Sequence, residues 1–351
     1  MERARERRDS EEGPPRGRQR SRPAPQGRGD PSRAEYRGSG RFRRAGTYEV
    51  EREWRRFEGT PQRELLRTLR ERFLERALET SGPLERALEV GPGPGRFSPW
   101  VAQGAARLVL FELSPAMLRA ALRAAPRGTT LPRRRSTSPE TVWEPMLGDA
   151  RRLPLRRESF PRVVALGNVV GFAAPKGPAV LRDLAETVAP GGTLLVESVG
   201  KVSERPRFLS SLHGEEVLAL LARTPLEEFP RRLAEGWAAP SEHPLRSPGR
   251  SGERELPSSF QFLRASEVRG ILERSGLVVR RQRTVAPLLG DDPRRVQWVS
   301  ERGGGRYWRA LLQWEETAGG HPRIVEAGGH LLTFATRPGR RGASGPSTSP
   351  G

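Results

Sequence analysis

The chain has 351 residues, enough for one large α/β domain with insertions or two smaller domains. It contains no cysteine, which excludes disulfides, a thiolate nucleophile, an iron–sulfur cluster and a cysteine-ligated zinc site. The formal charge of +20 would ordinarily indicate a polyanionic partner, but Lys176 and Lys201 are the only lysines among 62 basic residues. So strong an arginine skew reads as coding bias rather than as a nucleic-acid surface. Nucleic acid therefore stays possible but unfavoured.

Residues 1–45 carry 14 arginines against seven acids and almost no aliphatic side chains. Such a segment cannot bury enough apolar area to offset its ordering entropy, so it is predicted to be a disordered, Arg-rich tail. Residues 340–351 read as a second tail. No run approaches the about 18 apolar residues that a membrane span needs, and no apolar leader is seen, so a cytoplasmic protein is the expectation.

From Thr47 onward, Trp54, Phe57, Leu65, Leu66, Leu69, Phe73 and Leu78 recur at helical intervals and predict one or two amphipathic helices before the first strand. Short apolar runs then alternate with helical segments. Strands are predicted at Leu88–Val90, Leu108–Phe111, Val142–Leu147, Val163–Leu166, Thr193–Glu197, Leu277–Thr284 and Leu331–Thr336. That alternation argues for a seven-stranded parallel sheet with helices on both faces. Two stretches interrupt it. Residues 202–262 are polar and Pro/Ser/Arg-rich and read as a lid; residues 287–329 hold Trp298, Tyr307, Trp308 and Trp314, spaced as on helices packing onto the body. One domain over 46–339 accommodates both insertions.

The chemistry gathers at strand ends. Ala87 to Pro99 is an apolar strand, the turn Gly91-Pro92-Gly93-Pro94-Gly95, and a helix start with Ser98 as predicted N-cap. Glycines let a ligand approach the backbone, and a helix N-terminus favours a carboxylate or phosphate. A dinucleotide fingerprint would want glycine where the chain has Arg96, which disfavours a nicotinamide dehydrogenase. Glu89, two residues before the first glycine, suits a cofactor with an amino group. Glu112, ending the second strand, could accept both ribose hydroxyls; Ser114-Pro115 after it open a helix. Asp149 ends the third strand, where it could accept from an adenine amino group. For Glu112 alone, an ordinary exposed glutamate is the simpler reading; three acids at neighbouring strand ends form a pattern.

In order and spacing, these segments resemble the class I S-adenosylmethionine-dependent methyltransferases, specifically the small-molecule, type 11-like branch. The matching residues are Glu89-Val90-Gly91-Pro92-Gly93-Pro94-Gly95, then Glu112-Leu113-Ser114-Pro115-Ala116-Met117-Leu118, then Gly148-Asp149-Ala150-Arg151-Arg152-Leu153-Pro154. Ser159-Phe160 and Ala189-Pro190-Gly191-Gly192-Thr193-Leu194 continue the match, while Pro161 stands where an acid is usual. The resemblance implies a Rossmann-like, seven-stranded, mostly parallel sheet with its last strand antiparallel, and S-adenosylmethionine as cofactor. It further implies that Glu89, Gly91, Gly93 and Gly95 receive the methionine portion, Glu112 the ribose, and Asp149 with Ala150 the adenine. Asn168, at the end of strand four, would face the transferred methyl group and position the cofactor or an amine; the competing reading is a turn residue. The Asn/Asp-Pro-Pro-aromatic signature is absent, which disfavours adenine and glutamine acceptors.

The expected activity is methylation of a small molecule. Two alternatives are an RNA or protein methyltransferase using the basic N-terminal tail, and a cofactor-binding protein without catalysis. Methyl transfer is an in-line displacement that positioning and desolvation can largely accelerate, so no strong base is required. Among His213, His243, His321 and His330, the first is the preferred weak candidate because it falls in the lid. No metal-ligand spacing is present, and the sequence leaves the oligomeric state open.

Overall fold

The computed structural model describes residues 47–79, 82–124, 141–200, 261–289, 292–327 and 329–339. Both predicted tails, the lid with His213, and His243 lie outside the described residues. Within them, seven strands form one sheet in the order β3-β2-β1-β4-β5-β7-β6. They are β1 (Leu84–Val90), β2 (Ala105–Glu112), β3 (Val142–Leu147), β4 (Phe160–Ala165), β5 (Val188–Val199), β6 (Val278–Thr284) and β7 (His330–Thr336). Each predicted strand is present, most of them longer than predicted. Strands β1 to β5 pair in parallel, and β7 runs antiparallel between β5 and β6.

Helices cover both faces. On one lie α1 (Thr47–Arg55), α2 (Pro61–Leu78), α3 (Ser98–Ala102), α4 (Pro115–Arg123) and α8 (Pro293–Gly319); on the other lie α6 (Gly177–Thr187) and α7 (Ala265–Arg274). The short α5 (Val169–Phe172) follows β4, and α9 (Pro322–Ala327) precedes β7. Helix α2 begins where Thr60 accepts a hydrogen bond from the Arg63 N–H and Pro61 pre-sets the first turn. Its stripe of Leu65, Leu69, Phe73, Leu74, Ala77 and Leu78 is buried, and within that stripe sits a buried arginine, Arg70. The second predicted insertion is helical: α8 breaks at Gly304, Trp314 is buried, and Trp298, Tyr307 and Trp308 pack on the same core.

One prediction needs correcting. Helix α3 starts at Ser98 with Phe97 as a cap that makes no side-chain bond, so Ser98 is its first residue and not its N-cap. The other end of α3 is fixed instead, because the buried Arg162 of β4 donates to the carbonyls of Val101 at 2.9 Å and Gln103 at 2.6 Å. That anchor ties the C-terminal end of α3 to β4.

Candidate functional site

A cleft of about 1310 Å³, the solvent at its mouth included, opens at the carboxyl ends of β1 to β5. Because β7 is antiparallel, its first residue, His330, lies opposite Val199 at the same edge. Glu53 of α1, Arg56 and Phe57 of the turn after it, and Arg70 of α2 also line the cleft.

The glycine turn builds one half of this cleft, and its glycines have different reasons to be there. A Cβ on Gly95 would stand 2.7 Å from the Ala121 Cα of α4, at a φ of +88°, so this glycine lets two elements touch. Gly93, at φ +56°, has nothing within 4 Å of its Cβ position and presents bare backbone to the cleft. Gly91 abuts Val169 of α5 and gives its N–H to the Phe111 carbonyl at 2.8 Å. Gly91 and Gly93 line the cleft, whereas Gly95 does not.

The three acids lie where the strand ends put them. Glu112 is buried in the cleft wall; its Oε2 accepts from the Gly93 N–H at 3.1 Å and its Oε1 from the Ser114 N–H at 2.9 Å. Burial raises its pKa, while those backbone donors oppose the shift. Ser114 also caps α4 by accepting from the Met117 N–H at 3.3 Å, as predicted. Glu89 is 2% exposed, and its Oε2 has no hydrogen-bond partner. Burial pushes its carboxyl up to about 7, with the neighbouring Ser98 hydroxyl opposing and the Glu112 carboxylate reinforcing the shift. Asp149 accepts from the Arg151 N–H at 3.0 Å and holds the Arg151 guanidinium at 2.6 Å, which caps the short turn Ala150–Arg152. Ala150 lines the cleft beside it.

Asn168 is 3% exposed, and its Nδ2 is buried without a hydrogen-bond partner. It adopts a left-handed φ of +65°, and its Oδ1 accepts from the N–H groups of Gly171 and Val199, both at 3.2 Å. Its neighbours Gly167 and Val169 line the cleft and Asn168 does not. The residue ties α5 to β5, a use of the short amide that tolerates left-handed backbone.

The other half of the cleft holds a group that sequence reasoning missed. Glu197 of β5 is 1% exposed and pairs with Arg70 at 2.7 and 3.3 Å, accepts from the Gly167 N–H at 3.0 Å, and lies 2.8 Å from His330 Nδ1. Burial alone would raise the Glu197 pKa, but the Arg70 charge and the His330 hydrogen bond outweigh it and hold the carboxyl well below the usual range. Arg70 also lies 5.2 Å from the Phe57 ring centre. The available signals were an acid ending the apolar run Thr193–Glu197, just as Glu112 ends its run, and one arginine within the apolar stripe of α2.

Arg96, whose presence argued against a dinucleotide fingerprint, stacks 4.4 Å over Trp54 and bonds both the Trp54 carbonyl and Glu58. It latches the α1 end onto the glycine turn. Among the described residues, no group of three His, Asp or Glu side chains could hold a metal ion. No described helix is long and apolar enough to cross a membrane.

Residues 87–192, from within β1 to within β5, match the family model described as a methyltransferase domain. The sheet order, the glycine turn and this match agree on a methyltransferase domain with a Rossmann-like fold and S-adenosylmethionine as its cofactor. No curated protein matches it. Among solved structures, the [4+2]-cyclase SpnF shares 17% identity at a TM-score of 0.42, covering 76% of this chain and 80% of that one. An S-adenosylmethionine-dependent methyltransferase from Mesorhizobium loti shares 16% at a TM-score of 0.40, covering 76% and 96%. A chain from the complex of the Haloferax volcanii Trm112 methyltransferase activator with a putative methyltransferase shares 16% at 0.41, covering 78% and 98%.

Proposed function

We propose that this protein transfers the methyl group of S-adenosylmethionine to a small-molecule acceptor, and that the acids and glycines of the first cleft half hold the cofactor. The observation that carries this reading is Glu112, whose carboxylate is fixed in the cleft wall by one backbone N–H on each oxygen. Each oxygen keeps a lone pair, so the pair of hydroxyls of a ribose can still be accepted side by side. The buried, unpartnered Glu89 Oε2 fits a cofactor that brings an ammonium group, and the open face of Gly93 leaves room for its close approach. Asp149, at the cleft with Ala150, would border the adenine. When bound, the cofactor supplies an activated methyl on a sulfonium; the chain binds, orients and excludes water.

The charge of the cleft supports a small acceptor over a polyanion. Arg56, Arg70, Arg96 and Arg151 line it, and each faces a carboxylate: Glu53 at 3.4 Å, Glu197 at 2.7 Å, Glu58, and Asp149 at 2.6 Å respectively. Little uncompensated positive charge is left for phosphates. A cytoplasmic setting belongs to the same proposal.

Calorimetry with S-adenosylhomocysteine tests the reading. Wild type is expected to bind in the micromolar range, and Glu112→Ala to weaken binding about 10- to 100-fold, the worth of a charged hydrogen-bonding group. Folded wild type that binds no S-adenosylhomocysteine would overturn it. Transfer of a labelled methyl group into a fractionated metabolite pool then identifies the acceptor.

A further inference from the structure

The Arg70–Glu197–His330 cluster lies at the cleft but away from the glycine turn and the acids assigned to the cofactor. Its hydrogen bonding fixes which ring nitrogen of the histidine faces the carboxylate with a proton. An ionised carboxylate has no proton to donate, and Arg70, 2.7 Å away, keeps Glu197 ionised. The 2.8 Å contact between His330 Nδ1 and Glu197 Oε1 must therefore be an Nδ1–H donating to oxygen. In neutral imidazole, the lone pair then sits on Nε2. The His330 side chain is 35% exposed and lines the cleft, so this is an oriented, accessible base. Phe57, Leu166, Val169 and Phe172 give the cleft apolar walls.

We propose that His330 takes the proton from the methyl acceptor, with Glu197 and Arg70 as its positioning residues, and that the acceptor is a hydroxyl or amine on an apolar frame. This rests on the methyltransferase reading. As the acceptor oxygen or nitrogen forms its bond to the methyl carbon, the carbon–sulfur electron pair stays on sulfur. The acceptor's proton passes to His330 Nε2, leaving the methylated product, S-adenosylhomocysteine and an imidazolium facing the Glu197 carboxylate. Glu197 on β5 contacts that ring and Arg70 on α2 contacts Glu197; Glu53 on α1, Arg56 just after it, Glu89 on β1, Arg96, Glu112 on β2, Asp149 and Arg151 share the cleft.

Two measurements on the full chain test this. The first incubates labelled S-adenosylmethionine with a panel of phenols, aliphatic alcohols, primary amines and tertiary amines. Transfer to proton-bearing members is expected, falling about 10²- to 10⁴-fold in His330→Gln, which retains an amide donor for Glu197. His330→Gln should still bind S-adenosylhomocysteine as wild type does, and added imidazole should partly restore His330→Ala. Transfer within about threefold of wild type in His330→Gln, or transfer confined to tertiary amines, would overturn the proposal. The second records ¹⁵N spectra of the histidines with S-adenosylhomocysteine present, whether or not a panel member turns over. A proton on Nδ1 of neutral His330 supports the assignment, and one on Nε2 refutes it. Wild type that binds no S-adenosylhomocysteine removes the proposed function and this inference together, whereas normal binding with either negative result removes this inference alone.

Discussion

Two glutamates at the ends of neighbouring parts of the same sheet are equally buried and have opposite fates. Glu89, on β1 in the half of the cleft built from the glycine turn, has an unpartnered oxygen, and its pKa is pushed up to about 7. Glu197, on β5 in the other half, is satisfied by Arg70, His330 and the Gly167 N–H, and its pKa is held well below the usual range. The first is a buried carboxyl group with one oxygen that no described residue answers. The second has its partners built in, and acts on whatever enters the cleft only through the histidine that it orients. Burial by itself thus says little about a carboxylate's role; whether its charge is answered from within decides it.

The contrast can be broken first by removing the internal answer. Glu197→Ala leaves the Arg70 guanidinium buried and unpaired, so denaturant unfolding should show a loss of about 3–5 kcal/mol. A loss below about 1 kcal/mol would mean that the ion pair is incidental to the fold. The double substitution Arg70→Met with Glu197→Leu should recover much of the stability, because no buried charge remains.

The pH dependence sharpens the same contrast. Glu89 has a folded pKa of about 7 against an ordinary value of 4.5, so between these pH values the native state binds the proton that the unfolded state has released. Its contribution therefore weakens the native state as pH rises through that window, by at most about 1.4 kcal/mol per pH unit. Glu197 works the other way: its pairing stabilises above the ordinary carboxylate range and is lost as pH falls through its depressed folded value. Glu89→Gln should consequently flatten the decline between pH 4.5 and 7 while leaving the acid limb in place. An unchanged profile in denaturant midpoints would show that Glu89 titrates normally.

The smallest effect separates glycines within a single turn. Gly95→Ala should destabilise the fold by about 1–3 kcal/mol, since its Cβ meets the α4 backbone. Gly93→Ala carries only the strain of its left-handed backbone and should act mainly on S-adenosylhomocysteine affinity. Equal losses of stability and affinity in the two variants would erase the distinction between a packing glycine and a binding one.

How far the sequence could be read follows the same division. Each strand core, the turn from Gly91 to Gly95, Glu112 at the tip of β2 and the Ser114 cap were legible because each is written within a dozen neighbouring residues. Hydrophobic run, turn chemistry and capping all operate at that range. What the Asn168 Oδ1 accepts was not legible, because one of its donors is Val199, 31 positions away, a contact that no local pattern records. Ser98 was misjudged as the cap because the helix begins one residue earlier than that reading requires, with Phe97 in the cap position.

The sequence by itself determined a parallel, glycine-turned sheet with acids at three strand tips, since periodicity and turn residues constrain the backbone locally. Only the tertiary structure decided what lies opposite them. Arg70 and His330 stand 127 and 133 positions from Glu197, and they meet because β7 enters antiparallel beside β5 while α2 packs across the sheet end. Sheet pairing and helix docking bring together side chains whose distance along the chain carries no trace of their contact, and that assembly makes one histidine of four an oriented base.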